Sequence, residues 1–252
     1  MSRRKIQLKN DQQIRKLRAA GKLVADTFEM LEPHIQPGVT TGELDQIVEA
    51  FIRAHGAEPS FKGYNGFTGS ICVAVNDVVV HGIPGRQALR EGDIIAVDIG
   101  ARLDGWHGDA TITFPVGKID SESQRLMDVC KASLDAGIEV SRAGNRLSDV
   151  SSAVQKVVEQ AGFNVVRDLF AHGVGRNLHE APSFPHYGDP GRGPRLKEGM
   201  VYTIEPMIVA GSKEVNLLSD GWTIITVDGS RSAQYEHTIA ITSNGPLILT
   251  AP

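Results

Sequence analysis

Four carboxylates and one imidazole carry the chemistry this chain could do: Asp98, Asp109, Glu205 and Glu236, with His172. As a set they suit hard-to-borderline divalent ions such as Mn, Fe, Co or Zn. Four negative charges balance two such ions. A mostly carboxylate set is typical of a two-metal site, with the ions about 3.5–4 Å apart. Such a site lowers the pKa of its water and supplies hydroxide near neutral pH, so the reaction class is hydrolysis. Each residue alone has a plainer reading. A strand Asp near a turn is usually solvated, and a His beside a Gly can be a satisfied core residue. Glu205 is harder to set aside. It sits between Val201-Tyr202-Thr203-Ile204 and Pro206, and an unpaired carboxylate among apolar neighbours is costly.

The elements that must position these residues recur. Residues 94–99 and 111–114 are β-branched runs, and Asp104-Gly105 between them is a turn signal. That hairpin places Asp98 and Asp109 roughly opposite each other, where two carboxylates repel unless a cation neutralises them. Leu89-Arg90-Glu91-Gly92-Asp93 and its strand match Leu196-Lys197-Glu198-Gly199-Met200 and its strand 107 positions later, which sets Asp98 on Glu205. Asp109-Ala110-Thr111-Ile112 resembles Glu236-His237-Thr238-Ile239, and His81-Gly82-Ile83 resembles His172-Gly173-Val174. Gly38, Leu44, Phe51 and Gly56 match Gly144, Val150, Val157 and Gly162 at an offset of 106. Four matches in one order describe two related halves, each with a His-Gly element and two strand carboxylates.

The order helix, helix, strand, hairpin therefore occurs twice, an α+β arrangement with sheet on one side and helices on the other. Asn10-Asp11 can cap a helix to about residue 32, and Thr40-Thr41-Gly42-Glu43 opens another that ends at Gly56. Helices are expected over about 121–142 and 147–160, ended by Gly162. Residues 71–80 read as a strand interrupted at Asn76-Asp77. Residues 165–169 read as a short strand, and 182–195, rich in Pro and Gly, as a loop.

At 252 residues and 41% hydrophobic content the chain can bury a sizeable core. The repeat argues for one catalytic domain over 1–252, with halves of about 1–118 and 119–252. A net charge of −4 gives no basic excess for DNA. Cys72 and Cys130 make no disulfide framework, which fits a reducing compartment. No run approaches 18 apolar residues, and no apolar stretch follows Arg3, Arg4 and Lys5, so neither a membrane span nor a signal peptide is expected.

Over nearly its whole length the sequence resembles the type I methionine aminopeptidases. The motifs that carry this are His81-Gly82-Ile83-Pro84, Asp98-Ile99-Gly100 with Asp109, His172-Gly173-Val174-Gly175 through His179-Glu180, Thr203-Ile204-Glu205-Pro206, and Ser232-Ala233-Gln234-Tyr235-Glu236-His237-Thr238. The resemblance implies the pseudo-twofold pita-bread fold, with a curved antiparallel sheet backed by helices. It implies removal of the initiator methionine from nascent chains whose second residue is small. Asp109 and Glu236 would bridge two divalent metal ions (Co, Mn, Fe or Zn), Asp98 would bind one, and His172 and Glu205 the other. Glu205 would also shuttle a proton, His81 would contact the scissile amide nitrogen, and His179 would donate to the carbonyl oxygen. Tyr64, Phe67, Cys72 and Trp222 would form the methionine pocket, where spacing alone reads plain core packing. Phe67 stands where many members have tyrosine, and Leu178 where many have an aromatic residue. Some members also hold a monovalent cation on backbone atoms near Asn76, Val78 and Ser232.

A proline-specific peptidase of the same fold usually carries a further N-terminal domain, and the neighbourhoods of Cys72 and Trp222 fit methionine better. A non-catalytic peptide-binding relative, or a metal-free hydrolase of the creatinase kind, would lack ligands that are present here. The absence of a zinc-finger extension and of the long type II insert sets the expectation of a bacterial-type cytoplasmic monomer near the ribosome exit. His34, His55, His107 and His186 are read as structural, at helix ends or in loops. His237 is expected to point away from Glu236, and Cys130 to sit in the core.

Overall fold

The computed structural model of the chain describes residues 5–252. Helix α1 (Asp11–Leu31) starts at a reciprocal cap, Asn10 accepting the Gln13 N–H while Gln13 accepts the Asn10 N–H. Helix α2 (Thr41–Ala54) starts the same way with Thr40 and Glu43. Such boxes satisfy donors that have no partner inside the helix and stabilise each start by about 1 kcal/mol. Strand β1 (Glu58–Pro59) follows, then β2 (Ile71–Val75), β3 (Val78–Val80), and the long hairpin of β4 (Ile94–Leu103) and β5 (Trp106–Pro115). The second half begins with α3 (Ser121–Glu139) and α4 (Leu147–Gln160), then β6 (Asn164–Val165), β7 (Ala171–Gly173) and β8 (Glu180–Phe184). Strands β9 (Val201–Ile204), β10 (Met207–Val209), β11 (Val215–Leu217), β12 (Ile224–Thr226), β13 (Ser232–Gln234), β14 (Glu236–Thr242) and β15 (Gly245–Ile248) complete the chain. Among the described residues, no helix is long and apolar enough to cross a membrane.

Nine strands form one curled antiparallel sheet in the order β1-β4-β5-β14-β9-β7-β8, with β2 on β4 and β15 on β14. The four helices back it in two pairs. Val24, Phe28, Leu31, Leu44, Val48 and Ile52 of α1 and α2 pack on Ile71, Val73, Ile95, Val97 and Ile99. Leu126, Cys130, Leu134, Val150, Val154 and Val158 of α3 and α4 pack on Tyr202, Ile204 and Ile239. Each such side chain, fully buried, contributes about 1.5–3 kcal/mol. The halves repeat in their hydrogen bonds as well. Gly38 N–H donates to Leu89 O and Gly144 N–H to Leu196 O, while Gly92 N–H donates to Val116 O and Gly199 N–H to Ile241 O. The pita-bread architecture expected from the resemblance is the one observed.

Four local expectations change. Asp98 and Asp109 are not opposite: the turn is the two-residue Asp104-Gly105, with Leu103 paired to Trp106, so Asp98 faces Thr111 and Asp109 faces Gly100. A two-residue offset keeps both carboxylates on one face, because side chains alternate with period two. Helix α3 stops at Glu139, after which Gly144 turns back to Leu196. Residues 165–169 do not form one strand; β6 ends at Val165, and the chain leaves the sheet so that Leu169 and Phe170 border a cavity. Strand β8 reaches into the expected loop and includes Pro182, which is tolerated because β8 is an edge of the sheet.

Candidate active site

The carboxylates owe their convergence to strand register. Cys72 pairs with Asp98, Asp98 with Thr111, and Thr111 with Glu236, one row across four strands. Side chains in one cross-strand row leave the same face. Glu205 follows the last residue of β9, whose Ile204 pairs with His237, so the row runs on to it opposite Glu236. Asp109 joins that face two residues from Thr111. His172 enters from β7, its Nε2 3.6 Å from Asp109 Oδ2 and 3.7 Å from Glu205 Oε1. All five expected ligands border one cavity of about 380 Å³.

The two His-Gly elements have a steric cause. A Cβ at Gly82 would lie 2.0 Å from Val73 O, and one at Gly173 would lie 2.4 Å from Ala181 O, so only glycine lets the neighbouring strand approach. His81 itself takes φ +58, a left-handed conformation that costs a non-glycine residue of order 1–3 kcal/mol. Its ring meets Trp222 edge-on, centroids 6.4 Å apart. His179 lies against His172, ring centroids 4.0 Å apart and planes tilted by 49°, and its Nδ1 lies 2.8 Å from the Tyr64 hydroxyl.

The apolar wall also assembles. Phe67, Cys72 and Leu178 are buried together with Phe61, and Tyr64 and Trp222 pack against them. Phe67 and Trp222 meet edge to face at 5.1 Å. Burial raises the Cys72 thiol well above its ordinary range, helped by the facing carboxylates Asp98 and Asp109. It is therefore a soft wall, not a thiolate. Asn76 and Ser232 come together, the Asn76 carbonyl accepting the Ser232 N–H at 2.7 Å.

The site's electrostatics call for a cation. Burial raises the Asp98 carboxyl to about 7 and raises Glu205 to about 8, the latter against a hydrogen bond from Thr203. Asp109 and Glu236 are raised by burial and by the other carboxylates. Asp98 Oδ1, Asp109 Oδ1 and Glu236 Oε1 are enclosed and have no hydrogen-bond partner. Buried acceptors are otherwise satisfied in folded proteins. One ligand atom each from Asp109, His172 and Glu236 lies within 4.8 Å of the others. His172 is held neutral, lowered to about 3 by burial, with Nδ1 against Gly173 O at 3.0 Å. A neutral imidazole amid clustered carboxylates is the donor set of a divalent-metal centre, so the residues fit one.

Two histidines read as structural make buried hydrogen bonds, one of them to a candidate ligand's backbone. His186 is 1% exposed and its Nε2 accepts the Glu205 N–H at 3.0 Å. Its place in a Pro- and Gly-rich loop gave no signal, since nothing local connects residues 186 and 205. His107 is in neither a helix end nor a loop; it lies on β5, buried, bonded to Ser60 Oγ at 2.9 Å. His237 bonds Thr250 Oγ1 on the other side of the sheet. Cys130 is fully buried, donating to Pro206 O at 3.3 Å.

Residues 15–243 match metallopeptidase family M24, and the chain belongs to that family. Several relatives at 43–56% identity are methionine aminopeptidases. Methionine aminopeptidase 1 of Bacillus subtilis is 56% identical over 234 residues, covering 93% of this chain and 94% of the relative. The methionine aminopeptidase of Escherichia coli K12 is 44% identical over 247 residues, 97% of this chain and 94% of its own. The crystal structure of methionine aminopeptidase from Rickettsia prowazekii superposes with a TM-score of 0.97 at 43% identity, covering 98% of this chain and all of that one. An Xaa-Pro dipeptidase from Bacillus anthracis, at 24% identity and a TM-score of 0.78, shares the fold alone; this chain covers 62% of it.

Proposed function

We propose that residues 1–252 form one catalytic domain, with halves of about 1–118 and 119–252, that hydrolyses the N-terminal methionine from nascent polypeptides with a small second residue. The observation that carries this reading is that one cavity is lined both by the carboxylate row with His172 and by the apolar cluster of Phe67, Cys72 and Trp222. The carboxylates suit hydrolysis, and the apolar cluster suits a thioether against aromatic faces. The relatives' shared name points the same way.

Asp98, Asp109, His172, Glu205 and Glu236 would hold two divalent ions, drawn from Co, Mn, Fe or Zn. When bound, they would acidify the attacking water and polarise the substrate carbonyl. The chain's own groups do the rest. The methionyl side chain packs against the joined faces of Phe67 and Trp222, over Cys72 and beside Tyr64. Burial lowers both His81, to about 4, and His179, so each is a neutral N–H donor at working pH. His179 donates to the carbonyl oxygen as it gains charge, and His81 donates toward the scissile nitrogen. Glu205 takes a proton from the water and delivers it to the leaving amine. Thr203 Oγ1 holds Glu205 Oε1 at 2.7 Å during this exchange. Backbone oxygens near Asn76, Val78 and Ser232 offer a place for a monovalent cation. The protein acts as a cytoplasmic monomer near the ribosome.

The test is methionine release from Met-Ala-Ser by metal-stripped protein before and after Mn or Co is added, with an Xaa-Pro peptide alongside. Metal-dependent release of methionine alone is expected. Cleavage of the Xaa-Pro peptide alone would move the chain to the proline-specific branch. No cleavage of either, with metal bound, would make it a peptide-binding relative.

A further inference from the structure

One side chain of the apolar wall reaches the reacting end of the site. The Tyr64 hydroxyl lies 2.8 Å from His179 Nδ1, and the two rings sit 5.2 Å apart, tilted by 33°. His179 also lies against His172, with ring centroids 4.0 Å apart and planes tilted by 49°. Nδ1 faces the wall.

The phenol is presented on a fixed backbone. Gly63, Asn65 and Gly66 around it all have positive φ, 83, 48 and 89 respectively. Tyr64 N–H donates to Phe61 O at 2.9 Å, Tyr64 O accepts Phe67 N–H at 2.9 Å, and Gly63 N–H donates to Phe67 O at 2.8 Å. Asn65 in the left-handed region carries strain, and strained positions persist where neighbouring contacts over-determine them. The loop is also tied to α2: Asp45 Oδ1 accepts the Ser70 and Ile71 N–H at 2.6 and 3.0 Å, and Lys62 pairs with Glu49. A pocket wall with only a packing role needs no such turn.

A neutral imidazole carries one proton, and the hydrogen bond at one nitrogen decides which. With the proton on Nδ1, the ring would donate to a phenol oxygen and Nε2 would be a bare acceptor. With the proton on Nε2, Nδ1 is a lone pair facing a phenolic O–H. The second pairing matches the better donor with the better acceptor.

We propose that Tyr64 is a positioning residue: its hydroxyl donates to His179 Nδ1 and thereby places the His179 proton on Nε2, ready for the substrate's carbonyl oxygen. The use of that proton rests on the proposed function; the tautomer does not. It follows that one residue both flanks the methionyl side chain and sets the donor, so seating of the side chain and readiness of His179 are linked through a single ring.

The test is the tautomer of His179, read by long-range 1H–15N correlation on histidine-labelled, Zn-loaded full-length protein, for the wild type and Tyr64→Phe. The Phe variant keeps the ring and removes the hydroxyl. The wild type is expected to show a proton on Nε2 and none on Nδ1, and the variant to show a mixture, with His81 and His172 signals unchanged as the check on folding. In parallel, kcat for Met-Ala-Ser is expected to fall about fivefold to tenfold, the worth of one neutral hydrogen bond. KM and the preference for methionine over norleucine should stay within twofold. A wild type with the proton on Nδ1, or a variant with an unchanged tautomer and an unchanged kcat, would overturn the proposal. The wild-type spectrum decides even if the variant does not fold. A protein that releases no methionine would end the functional reading and leave the spectra to judge this one.

Discussion

His186 Nε2 accepts the backbone N–H of Glu205 at 3.0 Å, which joins the proline-rich loop after β8 to the start of the Glu205-Pro206 turn. Pro206 has no N–H to contribute, so this bond holds the backbone at the end of β9, where Glu205 leaves the ladder. The ring is 1% exposed and held neutral, lowered to about 3 by burial, which preserves the acceptor. His186→Ala leaves a buried N–H unpaired and is expected to cost about 1–3 kcal/mol of stability. It should also lower kcat at least tenfold by loosening Glu205, while KM changes little. His186→Gln, which keeps an acceptor, should recover part of both. Thermal unfolding and steady-state kinetics on the two variants check this, and equal losses in Ala and Gln would remove the hydrogen bond as the cause.

Glu205 is the proton carrier in the proposed mechanism, so Glu205→Gln separates chemistry from shape. The amide keeps the size and can still meet Thr203 Oγ1, but it cannot take a proton. Turnover of Met-Ala-Ser should fall about a hundredfold to ten-thousandfold, the usual contribution of general acid–base groups. The fold should stay intact by circular dichroism. A variant that keeps substantial activity would strip Glu205 of this role.

Much of this was legible in the sequence because it rests on local or periodic signals. The caps at Asn10 and Thr40 are written in four adjacent residues each. Asp98, Asp109, Glu205 and Glu236 were visible because an internal repeat set them in matching strands, and alternation on a strand survives small errors of register. That is why the misplaced pairing of Asp98 with Asp109 did not harm the ligand set: the error was two residues, which returns to the same face. What stayed hidden depends on long-range contact. His186 in its loop touches Glu205, and His107 on β5 touches Ser60, contacts between distant segments that no local pattern dictates. The strand character of residues 180–184 was masked by Pro182, whose presence is acceptable only because β8 lies on an edge, a fact of topology.

Thr111 supports a candidate ligand from within the row. Its Oγ1 donates to Glu236 Oε2 at 2.8 Å, while Glu236 Oε1 has no partner. The bond fixes the carboxylate with one oxygen free toward the cavity. Partners of this kind are typically worth tenfold to a hundredfold in metal affinity. Thr111→Val, which keeps the β-branched shape, should therefore weaken Mn or Co binding by about that factor and leave the melting temperature of the metal-free protein nearly unchanged. Titration calorimetry with the metal-stripped protein measures it. Wild-type affinity in the variant would mean that Glu236 is oriented by the sheet alone.

Metal removal should give the protein an unusual dependence of stability on pH. In the metal-free fold burial raises Asp98 to about 7 and Glu205 to about 8, and raises Asp109 and Glu236 also. An unfolded chain titrates such groups near 4. Between those values the folded state binds more protons than the unfolded state, so stability falls as pH rises. The contribution is full below the unfolded pKa and gone above the folded one. The buried histidines act in the other direction. His107, His172, His186 and His237 are lowered to between about 3 and 4, chiefly by burial, so their contribution is present above the ordinary value near 6.5 and is lost only as pH falls through the folded values. From pH 6.5 to 8 the histidines are neutral in the folded state and lose their remaining charge in the unfolded one, so their opposing effect fades across the window and the four raised carboxylates dominate. The metal-free protein should therefore melt at progressively lower temperature across that window. Saturating Mn or Co should abolish the decline, because a bound cation replaces the protons as the neutralising charge. Differential scanning calorimetry at several pH values, with and without metal, reads both effects. A melting temperature that is flat or rises from pH 6.5 to 8 without metal would show that these carboxylates are not held protonated by burial.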